Sequence, residues 1–124
     1  MKIIINDRRR IHAIQKEFTK LFPYLKIEFF AKPHKVGGAS PKKLMSISSK
    51  TLGECRTIHD TGAITIVPQM TVADLEQSFS DVYGLSVQIF RKSGKIWLET
   101  TVTDGWTLEE QNRQGEALSA MTES

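Results

Sequence analysis

The feature that most constrains the fold of this 124-residue chain is an apolar pattern that occurs twice, about 60 positions apart. In each copy, four apolar side chains recur at intervals of three or four residues, which is the spacing of one face of an amphipathic helix. The first copy comprises Ile11, Ile14, Phe18 and Leu21, and the second comprises Val72, Leu75, Phe79 and Val82. Ile3 and Ile64, upstream of the two patterns, are 61 positions apart, as are Ile11 and Val72. The sequence therefore predicts two similar units, each containing a helix.

A strand-like run follows each predicted helix, and a shorter one precedes it. Residues 25–32 and 85–92 alternate apolar or aromatic residues with polar ones, which is typical of half-buried strands. The chain is therefore predicted to contain two successive β-α-β units. Two such units in a small chain resemble the ferredoxin-like split βαβ arrangement, which implies the α+β class.

A hairpin extends the second unit. Ser93 and Gly94 are predicted to form a two-residue turn, after which residues 96–101 return as a strand. This turn places Phe90 opposite Trp97. The fold is therefore predicted to gain an extra hairpin strand after the second β-α-β unit.

A C-terminal helix is predicted to begin after Thr107, which forms a capping-box pattern with Glu110. Because its apolar stripe is thin, we expect this helix to be peripheral. The whole chain, residues 1–124, is expected to form a single domain. Residues 32–61 are then an insertion between the two β-α-β units.

Strand alternation predicts a helix-covered sheet face and an open one. The helix-covered face is predicted to carry Leu25, Ile27, Phe29, Ile64, Ile66, Leu85, Val87, Ile89, Ile96 and Leu98. The open face combines polar residues with three large aromatic side chains, Phe30, Phe90 and Trp97. Such a patch is larger than monomers usually expose, so we expect a second subunit or the C-terminal helix to cover it. A second subunit would make the protein a homodimer or larger homo-oligomer.

Charge is distributed unevenly along the chain, although the net charge is only +3. Residues 1–60 contain 13 Lys and Arg against five acidic residues, whereas residues 61–124 contain four against nine. This asymmetry indicates a basic surface for an anionic partner, or complementary surfaces for self-association. Two solvated faces whose charges interleave after folding are the alternative.

Residues 32–43 are predicted to form an irregular basic loop, since prolines and adjacent glycines interrupt regular pairing. Glycines allow backbone N–H groups to approach an anion, and lysines supply positive charge. The candidate anion- or nucleic-acid-binding residues are Lys35, Gly37, Gly38, Lys42 and Lys43. A solvated loop without a ligand is the alternative.

A catalytic alternative involves Cys55, His59 and Asp60. On a helix, Cys55 and His59 would share a face, as a thiolate and its general base, and Asp60 would orient the imidazole. A small buried thiol beside a surface histidine is the simpler interpretation. One cysteine and three scattered histidines lack metal-ligand spacing, so the sequence predicts no metal and no cofactor.

The sequence also indicates a compartment and an order of hypotheses. Apolar runs do not exceed three residues, so neither a membrane span nor a signal peptide is predicted. A single cysteine excludes an internal disulfide, and we expect a cytoplasmic protein. The leading hypothesis is a small protein-binding or assembly module that is homo-oligomeric through the open face. An anion or nucleic-acid binder is the second hypothesis, and a small enzyme centred on Cys55 and His59 is the third.

Overall fold

The computed structural model describes residues 1–31, 43–44, 50–55 and 59–123, with the side chains of residues 31, 43, 44, 55 and 121–123 left out. In chain order the elements are β1 (Lys2–Ile5), α1 (Ile11–Leu21), β2 (Leu25–Ala31), β3 (Lys43–Leu44), α2 (Leu52–Cys55), β4 (Gly62–Thr65), α3 (Val72–Tyr83), β5 (Ser86–Ser93), β6 (Ile96–Glu99) and α4 (Leu108–Glu123). The α+β class is confirmed, and the order strand-helix-strand occurs twice along the chain. The additional hairpin strand and the C-terminal helix are present as β6 and α4.

The described strands form two antiparallel sheets. β1 pairs with β4 in the smaller sheet, and the larger has the strand order β3-β2-β5-β6. The order of the elements along the chain is compatible with the ferredoxin-like arrangement. The strands of this protein, however, lie in two separate sheets. Buried apolar side chains from both β-α-β units and from α4 form a common core cluster.

The two repeated units pair with each other, strand against equivalent strand. Ile3 lies opposite Ile64 in the smaller sheet, and Glu28 lies opposite Gln88 in the larger one. The members of each pair occupy equivalent positions in the two units, 61 and 60 positions apart. In an antiparallel ladder, equivalent residues face each other only where an approximate two-fold axis passes between the strands. The two copies of the sequence repeat are therefore related by a local two-fold axis in the β1–β4 ladder and in the β2–β5 ladder.

Helices α1 and α3 bury the faces that their spacing predicts, except that Leu21 is only partly buried and Val82 is exposed. Val72, Leu75 and Phe79 are buried, but Val82 is 50% exposed and Tyr83 is buried instead. Tyr83 follows Phe79 by four residues, and its hydroxyl donates a hydrogen bond to Ala63 O at 3.3 Å. The buried stripe therefore ends on the residue that reaches β4.

Helix α4 is not peripheral. Thr107 Oγ1 accepts a hydrogen bond from Glu110 N at 3.1 Å, which confirms the predicted cap. The buried residues of α4 are Leu108, Gln111, Gly115 and Ser119. Their spacing of three or four residues forms one helical stripe, but three of them are small or polar. An apolar pattern therefore underestimates how closely this helix packs.

The β5–β6 hairpin has a different register from the predicted one. Ser93 pairs with Ile96, so the turn is Gly94-Lys95, and Phe90 lies opposite Glu99. Gly94 has a φ of 64°, a conformation that glycine adopts without steric cost. The register differs by two residues, and side chains alternate with a period of two, so each remains on its predicted side of the sheet.

Candidate interaction surface

Helix α4 packs on the sheet side that faces the core. Arg91 is directly opposite Leu25, a fully buried core residue, and opposite residues share a sheet face. Arg91 Nη1 donates a hydrogen bond to Gln111 Oε1 at 3.0 Å, and a Cβ built on Gly115 would lie 3.2 Å from Arg91 Cγ. The described side chains of α4 therefore do not cover the open face. The described part of the C-terminal helix is therefore not what covers the open face, and a second subunit remains the proposed partner of this face.

On the open face, a lysine ammonium group lies near two aromatic rings. Lys26 Nζ is 4.9 Å from the ring centroid of Trp97 and 5.4 Å from that of Phe90. The same ammonium lies 3.4 Å from a carboxylate oxygen of Glu28. Cations near aromatic ring faces are attracted by the ring quadrupole. We call Lys26, Glu28, Phe90 and Trp97 the open-face cluster.

A side chain from α1 positions the acidic member of this cluster. Gln15 Nε2 donates hydrogen bonds to Ile27 O at 3.0 Å and to Glu28 Oε2 at 3.2 Å. The side chains of Lys26 and Glu28 are only 33% and 22% exposed. The charged pair is therefore held in a partly desolvated position rather than extended into solvent.

The three predicted aromatic residues do not form one patch. Phe90 and Trp97 both approach Lys26, whereas Phe30 lies opposite Ser86 on one side and Leu44 on the other. Phe30 is four positions from Lys26 along β2, a separation of about 13 Å. The structure therefore brings two of the three predicted side chains together and places Phe30 near β3.

Among the described strands, β6 lies at the edge of its sheet, and all four of its residues are exposed. Ile96 and Leu98 were predicted to be covered by helices, but they are 58% and 37% exposed. This prediction is wrong because α4 packs against β5, one strand short of the edge. Trp97 is also 37% exposed, on the opposite face of the strand. β6 therefore presents apolar side chains on both faces.

The predicted catalytic residues are not arranged on one helix. The short helix α2 ends at Cys55, whose side chain is not described, and His59 lies outside it. His59 Nδ1 is 2.7 Å from Asp7 Oδ2, so Asp7 contacts the imidazole in the role predicted for Asp60. Both members of this pair are well exposed, with side-chain exposures of 53% and 41%. The pair can act as a surface ion pair when His59 is protonated.

The predicted anion-binding residues fall almost entirely outside the described part of the chain. Lys35, Gly37, Gly38 and Lys42 lie outside the described residues. Lys43 lies in β3, with its backbone opposite Ala31 and its side chain not described. These predictions consequently remain sequence-based.

A polar cleft of about 350 Å³ between α3 and β5 was not predicted. Its lining includes Glu76, Gln77, Gln88, Thr101 and Asp104. These side chains come from outward-facing positions of α3, from β5 and from the loop after β6, so no local motif unites them. The cleft is open and polar, as expected for a groove between a helix and a sheet end.

The described residues contain no group of three or more His, Cys, Asp or Glu side chains arranged to hold a metal ion. In the same part of the chain, none of the helices is long and apolar enough to cross a membrane. Comparison with protein-family models, with curated proteins and with solved structures gave no match to this chain. Function is therefore inferred from the surface itself.

Proposed function

We propose that the protein is a small assembly module that associates with a second copy of itself through the β3-β2-β5-β6 sheet. The observation that carries this proposal is the exposure of Trp97 and the β6 edge, which the described helices leave uncovered. Large apolar side chains clustered on a surface are typical of protein–protein contacts. Tryptophan and tyrosine are also common among the residues that dominate binding energy.

The chemistry of the open-face cluster supports a protein partner. Its cation and its carboxylate lie within 3.4 Å of each other, so the cluster presents little net charge. Interface centres are depleted in charge and enriched in aromatic residues. The half-buried ion pair at Lys26 and the rings of Phe90 and Trp97 fit that composition.

Fluorescence of Trp97 tests the proposal. The chain has two tryptophans, so the substitution Trp106→Phe leaves Trp97 as the only indole. We expect its emission maximum to move to shorter wavelength over the same concentration range in which sedimentation shows the mass increasing. The physical reason is that association removes water from the exposed indole.

A matched pair of variants identifies the surface. Trp97→Ala should weaken association, whereas Val82→Ala, at an exposed apolar position on α3, should leave it unchanged. A chain that stays monomeric to millimolar concentration, with water-like Trp97 emission throughout, would refute self-assembly.

A further inference from the structure

The β6 edge has a self-complementary pattern centred on Trp97. Residues 95–99 are Lys-Ile-Trp-Leu-Glu. The apolar residues Ile96 and Leu98 are symmetric about Trp97, whereas the charges of Lys95 and Glu99 are opposite in sign. Among the described residues, neither charged side chain has an ion-pair partner. A strand with this pattern complements a second copy of itself in the antiparallel direction.

The hairpin leaves the backbone groups of Trp97 and Glu99 facing away from β5. Thr100 N donates a hydrogen bond to Ile89 O at 3.3 Å, so the backbone of Thr100 faces β5. Backbone orientation alternates along a strand, so Leu98 and Ile96 also face β5. The N–H and C=O groups of Trp97 and Glu99 therefore point towards the edge at which none of the described strands pairs. They are positioned to bond with a further strand. Lys95 precedes the strand and lies in the turn.

We propose that two copies of this chain dimerise by antiparallel pairing of β6 with β6, with Trp97 on the two-fold axis. This inference rests on the proposed self-assembly function and specifies its surface and register. Trp97 then faces Trp97 of the second copy, and the two larger sheets join into one continuous sheet. Two-fold symmetry is the commonest arrangement of homo-oligomers.

Charge complementarity selects this register over its neighbours. With Trp97 at the axis, Lys95 lies opposite Glu99 of the second copy, and Ile96 lies opposite Leu98. Because the interface is two-fold symmetric, each of these contacts occurs twice. An axis at Leu98 would instead place Trp97 opposite Glu99, and an axis at Ile96 would place Lys95 opposite Trp97. Parallel pairing would align like charges, which is destabilising.

Apolar side chains beside the strand extend the contact beyond backbone pairing. On the core-facing side, Leu98 lies opposite Arg91, and the Arg91 guanidinium lies 5.7 Å from the ring centroid of Trp106. The side chains of Ile96 and Leu98 are 58% and 37% exposed on this side and are therefore available to a second copy. Stable interfaces bury roughly 800 Å² per partner, more than four paired residues supply. Pairing of β6 therefore predicts a concentration-dependent dimer, which sedimentation detects.

Charge reversal at the two ends of the pattern tests the register. Lys95→Glu places two acidic side chains opposite each other twice in the dimer, and Glu99→Lys does the same with two lysines. Each single variant should weaken dimerisation on the order of ten-fold, since cross-strand pairs contribute a few tenths to one kcal/mol each. The double variant K95E/E99K restores both opposite-charge pairs and should restore the dimer. Sedimentation equilibrium at low salt measures all four proteins, because salt screens exposed pairs.

Disulfide cross-linking provides a measurement that does not depend on the strength of the charge pairs. The native Cys55 is first replaced by serine, and Lys95→Cys and Glu99→Cys are made separately in that background. The proposed register brings Cβ atoms of these positions into disulfide range between copies. Oxidation of an equimolar mixture should therefore give a covalent dimer that contains one copy of each variant. Each variant alone should give little, because identical positions then lie about 13 Å apart.

The outcomes separate this inference from the proposed function. Recovery of dimerisation in K95E/E99K, with cross-linking only in the mixture, supports the Trp97-centred register. A dimer that tolerates both single reversals, or that cross-links equally well in the single variants, overturns the register but leaves self-assembly intact. A wild-type chain that remains monomeric overturns both.

Discussion

At the scale of single residues, Gly115 allows α4 to pack closely against its neighbours, because it has no side chain. A Cβ at this position would lie 2.8 Å from Tyr24 Cβ and 3.2 Å from Arg91 Cγ. One turn earlier, the buried Gln111 donates to Thr103 O and Thr103 Oγ1, both at 2.8 Å, and accepts from Arg91. These contacts fix α4 against β5 through polar bonds and close backbone approach rather than through an apolar stripe.

The substitution Gly115→Ala should therefore destabilise the protein. Alanine in a helix interior is normally favoured over glycine by about 1 kcal/mol. Here the added methyl group must displace Tyr24 or Arg91, and overpacking of this kind costs about 1–3 kcal/mol. We expect a net decrease of about 1 kcal/mol in the free energy of unfolding, measured by urea denaturation.

Gly105→Ala is the matched control, because a Cβ there meets no atom within 4 Å. It should change the free energy of unfolding by less than about 0.5 kcal/mol. A Gly115→Ala protein more stable than the wild type would mean that α4 is not held at the distance described.

At the scale of elements, α3 is the one whose ends follow most directly from sequence. Thr71 Oγ1 accepts a hydrogen bond from Asp74 N at 3.1 Å, and Gly84 ends the helix with a φ of 63°. A threonine just before the first helical residue and a left-handed glycine just after the last are among the residues that helix ends favour.

Thr71→Ala should lower the free energy of unfolding by about 1 kcal/mol, because it leaves the Asp74 N–H without its side-chain acceptor. Chemical denaturation measures the change. Thr71→Ser keeps the hydroxyl and should retain most of the stability. Equal losses in the two variants would attribute the effect to the lost methyl group instead of the cap.

Some helices and strands could be predicted from the sequence, and others could not. Periodicity identified α1, α3, β2 and β5, because their faces are buried by apolar side chains. It missed the buried stripe of α4, where Gln111 and Ser119 are buried although they are polar. It also assigned Ile96 and Leu98 to the covered face, because alternation predicts which side a residue faces but not how far the helices extend. Pairing across the sheet depends on contacts distant in sequence.

The open-face cluster was predictable in part. Alternation placed Phe90 and Trp97 on one face, and this placement does not depend on the exact hairpin register. The approach of Lys26 to both rings depends on the pairing of β2 with β5, which no local pattern specifies. The contact of His59 with Asp7, 52 positions away, is likewise a tertiary contact without a local pattern.

At the scale of the whole molecule, two-fold symmetry relates the paired strands within the chain, and we propose that it also relates two chains in the dimer. Within the chain, equivalent strands of the two units pair about local axes at Ile3–Ile64 and Glu28–Gln88. Between chains, the proposed dimer repeats antiparallel pairing at β6. Antiparallel pairing allows both kinds of contact, because two equivalent strands related by a two-fold axis can pair while keeping the same conformation.

The uneven charge along the chain belongs to the same scale and motivates a second proposal, weak binding of polyanions by the basic first half. Lys35→Gln, Lys42→Gln and Lys43→Gln together form the loop variant. If each lysine neutralises one phosphate, the slope of log K against log salt should fall in magnitude by about three. Salt-dependent retention on immobilised DNA measures the slope. Urea denaturation of the loop variant is the control for a loss of fold stability.

A second triple variant separates a local site from diffuse charge. Lys2, Lys16 and Lys20 are exposed on β1 and α1, and their replacement by glutamine removes the same three charges from other positions. If the predicted basic loop contacts the polyanion, this control should change the slope by less than the loop variant does, because only charges that neutralise phosphates release counterions. Equal slopes in the two variants would instead indicate binding by net charge alone. If the wild-type protein is not retained at low salt, the uneven charge has no role in polyanion binding and belongs to an ordinary solvated surface. Self-assembly through β6 would then be the remaining proposal.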